Sequence, residues 1–212
     1  MNWVKRLISF KHEGMKQKNN EWEISITKRF MVLSHPTRYR PIELWDRWGK
    51  MQANILSMFN QQWDNAHTYF WVQTYVPNSL TDVLIEGKYE NVTSTNKDEQ
   101  IFLFPDCRDQ NSWETILSIM ALGGLSRCIF ILNNKPKNWG DIIIRLHQIT
   151  QQISIGHSLS EFEKELEICH CLCGSSDEDL VIYKIDLEEN AVLSILENIA
   201  KKEELELVIK RE

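Results

Sequence analysis

The 212-residue chain predicts an α/β or α+β fold: a single domain with a mixed β-sheet flanked by helices, preceded by a short N-terminal helical segment. Three observations carry that expectation. Short β-branched and aromatic runs recur between residues 22 and 210. Apolar stripes at helical spacing stand between them, and capping and turn residues mark the joins. The balance of 42% hydrophobic and 25% charged residues suits a globular core and argues against disorder.

Residues 1–20 read as an appendage to a domain at 21–212. Trp3, Val4, Leu7, Ile8 and Phe10 mix with Lys5, Arg6 and Lys11 as a basic amphipathic helix, and the polar run 14–20 is a hinge. Packing on its own domain is the expected fate of that helix, with contact to an anionic membrane as the alternative. Residues 22–33 alternate in part and predict a strand or a broken pair of strands. Pro41 opens a helix to Trp63, with Leu44, Trp48, Met51, Ile55 and Phe59 in register. Gly49 inside it costs about 1 kcal/mol relative to alanine.

Residues 68–76 form the clearest strand, ending at Pro77-Asn78. A short strand around 82–85 and a polar loop follow, then an apolar strand at 101–104. Asn111 and Glu114 form a capping box for a helix closed by Gly123-Gly124. Residues 127–132 predict a strand buried on both faces, and 139–153 a helix with Ile142, Ile143, Leu146, Ile149 and Ile153 inward. Ser158 and Glu161 make a second capping box. The helix behind it carries Leu159, Phe162, Leu166, Cys169 and Cys173 as far as Gly174, its terminating glycine. A strand at 180–186, a helix at 189–202 and a strand at 205–210 complete the pattern. The eight tryptophans are expected as core anchors.

Several function classes lack support. The chain has no Walker loop, no Gly-x-Gly-x-x-Gly, no His-Glu-x-x-His and no serine-nucleophile elbow, so no cofactor is expected. No run approaches the roughly 20 apolar residues that span a bilayer. Five cysteines (Cys107, Cys128, Cys169, Cys171 and Cys173) have no disulfide-framework spacing, which predicts reduced thiols and a cytoplasmic location. On the predicted helix Cys169 and Cys173 are four apart and offer two metal ligands, with His147, His157 or Cys128 to complete a site. Core packing is the simpler use of such thiols, and a strand would instead align Cys169, Cys171 and Cys173 on one face.

Charge is divided by position. Residues 1–50 hold eleven Lys and Arg against five Asp and Glu, whereas residues 158–212 hold fifteen acids against six bases. Such asymmetry bears on partners and steering rather than on fold. The basic residues are spread over a predicted helix, a strand and a loop in a chain of net charge −6, which disfavours nucleic acid as a partner. The acidic end is denser. Glu161, Glu165, Asp177, Glu178 and Asp179 are the candidate partner-binding residues, on one capped helix and the loop behind it. They point to a protein-interaction module that binds a basic protein, in concrete form an immunity or antitoxin-like inhibitor of a basic toxin.

The alternative is an enzyme with a dispersed active site in the loop 105–111. Asp106, Cys107, Arg108 and Asp109 follow a strand and precede a helix, where α/β sheets place reactive groups and where a thiol pKa falls. The loop lacks a glycine-rich cradle, and no histidine stands at a fixed spacing to serve as base.

Overall fold

Side-chain alternation along the first hairpin sets the two faces of the sheet. In β1 (Glu21–Ile26), Trp22 and Ile24 are fully buried while Glu21, Glu23 and Ser25 point the other way. Thr27 closes the turn by accepting from the Arg29 and Phe30 N–H groups, and β2 (Met31–Ser34) returns antiparallel. The structure is a computed structural model that describes residues 20–36, 47–73, 90–96, 99–104, 126–134, 136–175 and 179–212. The expected N-terminal helix, the strand around 82–85, the Asn111–Glu114 capping box and the first turns after Pro41 lie outside these residues.

Helix α1 (Gly49–Asn60) leads to β3 (His67–Gln73), β4 (Glu90–Asn96), β5 (Glu99–Phe104) and β6 (Ser126–Leu132). Helix α2 (Trp139–Ser154) precedes a 3-10 turn, Leu159–Phe162, that runs into the four-residue α3 (Glu163–Leu166). Then come β7 (Cys169–Ser175), β8 (Asp179–Ile185), α4 (Glu189–Lys202) and β9 (Glu206–Arg211). Among the described residues the nine strands form one sheet, ordered β4-β5-β3-β6-β7-β8-β2-β1-β9. Every neighbouring pair is antiparallel except β1–β9. The sheet is therefore mixed, as expected, through one parallel pair. That pair exists because β8, α4 and β9 form a crossover that returns beyond β2 and β1 to the sheet edge.

Helices cover both faces. On one face α1 and α4 pack on Trp22, Ile24, Leu33, Ile129, Ile131, Leu180 and Ile182. On the other, α2 and the Leu159–Leu166 segment pack on Val32, Tyr69, Phe130, Leu132, Leu172 and Val181. Trp22 and Trp48 are core anchors, as expected for tryptophan. Two buried side-chain pairs fix α1 against the sheet: Ser175 Oγ donates to Gln52 Oε1 at 2.6 Å, and Thr68 Oγ1 to Asn60 Oδ1 at 3.1 Å. Glu189 in the first turn of α4 and Lys201 and Lys202 in its last turn complement the helix dipole.

Two elements depart from expectation in kind. The helix expected from Ser158 to Gly174 ends at Leu166, and Cys169–Ser175 is a strand between β6 and β8. Ladder bonds on both sides outweigh the helical spacing of Leu166, Cys169 and Cys173. Gly174 is accordingly no helix terminator. A Cβ there would lie 3.1 Å from Tyr183 Cε2, so the glycine makes room for the tyrosine ring. Among the described residues, the glycine just beyond a helix end with positive φ is Gly156, at φ 119° after α2. β4 was also unexpected, because ENVTSTN reads as a polar loop.

Candidate functional site

The candidate acids do not share one helix. Ser158 caps the 3-10 turn: its Oγ accepts from Ser160 N, and Glu161 Oε1 accepts from Ser158 N at 2.8 Å, so the expected capping box is present. Glu161 Oε2 also meets His157 Nδ1 at 2.9 Å. The hydrogen bond from His157, then that from the Ser158 N–H, hold the Glu161 carboxyl below its ordinary pKa. Glu165 accepts from Arg145 of α2 at 3.1 Å. Both acids thus already hold the Leu159–Leu166 segment in place. Glu163 on the segment and Glu167 just after it are exposed and have no ion pair among the described residues.

Asp177 and Glu178 lie outside the described residues, and Asp179 is the first residue of β8. The seven residues of β7 stand between α3 and that loop, a run of about 23 Å at strand rise. A full strand therefore separates α3 from Asp177 and Glu178 along the chain, where a single acidic helix leading directly to them was expected. Asp106, Cys107, Arg108 and Asp109 are outside the described residues too. The strand before them, β5, is antiparallel to both β3 and β4. The rule that places active sites at the carboxyl ends of parallel strands has no purchase there.

The four described cysteines fall into two sets. Between Ile131 and Leu132 of β6, β7 carries one extra residue, His170, and this bulge flips the side-chain parity. Cys169 consequently joins the α2 face, while Cys171 and Cys173 join the α1 face with Sγ atoms 3.3 Å apart. The expected Cys169–Cys173 ligand pair is split across the sheet. Burial pushes the Cys128 thiol up to about 11, against the opposing hydrogen bond of Thr150, and raises Cys169 further. Cys171 is raised by its hydrogen bond with Cys173 and by burial. Such buried thiols stay protonated and are poor nucleophiles. Among the described residues no group of three His, Cys, Asp or Glu is placed to hold a metal ion.

The bulge also brings ionisable groups together. His170 stacks on Trp63, centroids 4.7 Å apart and planes 4° from parallel, and its Nδ1 lies 3.4 Å from Asp186 Oδ2. Lys184 Nζ donates to Asp186 Oδ1 at 2.6 Å and also to the Cys169 carbonyl. A second bulge, at Tyr183 of β8, places Lys184 opposite Leu172. Sequence reasoning missed this cluster because its members come from a loop, two strands and a turn, and no fixed spacing links them. The hydrogen bonds of Lys184 to Asp186 and to the Cys169 carbonyl, with that of Asp186 N to the His170 carbonyl at 2.8 Å, act here as a latch. It ties the end of β8 to β7 and, through Trp63, to the connection after α1.

A depression of about 510 Å³ beside α2 is lined by Gln148, Gln151, Gln152, Ser154 and Ile155 and holds no ionisable side chain. Among the described residues no helix is long and apolar enough to cross a membrane. Comparison with protein-family models, curated proteins and solved structures finds no match.

Proposed function

We propose that the chain is a protein-interaction module whose acidic C-terminal region takes up a basic protein, in concrete form an immunity or antitoxin-like inhibitor of a basic toxin. The observation that carries this is the pair Glu163 and Glu167, exposed, one helical turn apart, and without an ion pair among the described residues. Glu161 and Glu165 beside them are held in position by His157, Ser158 and Arg145, so the negative field is fixed to a short rigid segment. A preorganised field of one sign raises the association rate for an opposite charge and disfavours acidic competitors.

Capture of a partner from the native host, followed by a salt titration of its affinity, tests the proposal. Glu163→Lys with Glu167→Lys is expected to weaken binding on the order of tenfold at low salt and to flatten the salt dependence. Because neither side chain holds the fold together, the thermal transition should barely move. Affinity that is indifferent both to salt and to this double reversal overturns the proposal.

A further inference from the structure

We infer that β9 is a self-association edge, at which two copies of the chain pair their β9 strands antiparallel about a two-fold axis at Val208. The backbone parity of the strand is the starting point. Glu206 N donates to the Asn20 carbonyl at 2.9 Å and Glu212 N to the Ile26 carbonyl at 3.0 Å, both on the β1 side. Residues 206, 208, 210 and 212 therefore direct their backbone groups to β1, and Leu207, Ile209 and Arg211 direct theirs to the outer edge. Among the described residues β1 is the one strand beside β9.

Antiparallel strands oppose residues of like hydrogen-bonding type, so a two-fold axis must pass through a residue and not between two. An axis at Val208 sets Leu207 opposite Ile209 of the second copy, on the face where both already pack against the α1–α4 core. On the other face it sets Glu206 opposite Lys210 of the second copy, twice by symmetry. Moving the axis to Ile209 opposes Glu206 to Glu212, and moving it to Lys210 brings two lysines together. Charges that discourage indiscriminate edge pairing are thus matched in the Val208 register. The partner this edge fits is a second copy of the chain.

Six residues a side make a small interface, so the dimer should be concentration-dependent. Sedimentation of the full chain over a concentration series is expected to show monomer giving way to dimer. Lys210→Glu should shift the equilibrium to monomer, and Glu206→Lys added to it should restore the dimer. Lys210 also bonds Glu23 within its own chain at 2.6 Å, but that loss is common to both variants and cancels in the comparison. Ile209→Pro removes an outward N–H that β1 does not use, and should abolish dimer while the monomer stays folded. Val208→Cys should give a disulfide-linked dimer with oxidised glutathione as oxidant, since opposed non-bonded pairs bring Cα atoms within bridging distance. A wild-type chain that stays monomeric throughout, or a dimer that survives Ile209→Pro, overturns the inference.

Discussion

His147 is the buried imidazole of α2, 8% exposed, with Nε2 3.0 Å from Gln151 Nε2. An amide donor at that distance suits a neutral ring with its lone pair on Nε2. Burial lowers the pKa from 6.5 to about 4. The folded-state value lies below the unfolded one, so the unfolded chain binds the proton first as pH falls. The contribution is complete above about pH 6.5, shrinks between there and about pH 4, and is gone below. Its ceiling is about 3 kcal/mol. Carboxylates such as Glu161, held below their ordinary pKa, act in the same sense over a more acid window. The informative quantity is thus a difference. Urea unfolding of wild type and His147→Gln at about pH 7.5 and about pH 5 should show a steeper loss for wild type. Equal losses would mean that the ring is protonated in the folded chain.

At the scale of elements, legibility followed how each strand or helix is covered. Helices α2 and α4 were plain because each buries one stripe and solvates the other, as Ile143, Leu146, Ile149 and Ile153 do on α2. The hairpin β1–β2 showed in its alternation for the same reason. β7 failed because it is buried on both faces and bulged at His170, which removes the period of two and leaves Cys169 and Cys173 at a helical spacing by accident. Its glycine exposes the difference. In a helix-ending role, Gly174 would be replaceable at modest cost; inside β7 a methyl group meets Tyr183 at 3.1 and 3.2 Å. Gly174→Ala should cost about 1–3 kcal/mol in chemical denaturation. Tyr183→Leu in the same chain should recover part of it, as coupling between touching residues requires. Additive losses would place the strain elsewhere. The candidate site followed the same logic: the Ser158–Glu161 box was legible in four consecutive residues, whereas the Trp63–His170–Asp186–Lys184 cluster depended on two bulges and on the approach of a distant loop.

Across the whole molecule the sheet order was not legible, since the long-range pairing of β2 with β8 and β1 with β9 leaves no local trace. What does leave a trace is how many faces are covered. β6, β7 and β8 carry apolar residues on both faces and lie between two helical layers, whereas β1 and β9 alternate and leave Glu21, Glu23, Glu206 and Lys210 outside the core. Local opening should therefore start at the β9 end and reach β6–β8 last. Amide hydrogen exchange on dilute protein should place the β6–β8 amides in the slowest class, since their bonds break only in global unfolding. Within β9 the rates should alternate: Val208 and Lys210, bonded to β1, slow, and Leu207, Ile209 and Arg211, facing outward, fast. Raising the concentration should slow the outward set alone if two β9 edges meet, since only those N–H groups gain a partner. Uniform rates along β9 at low concentration would contradict the parity seen in its ladder, and slow outward amides in a proven monomer would mean that another segment of the chain covers the edge.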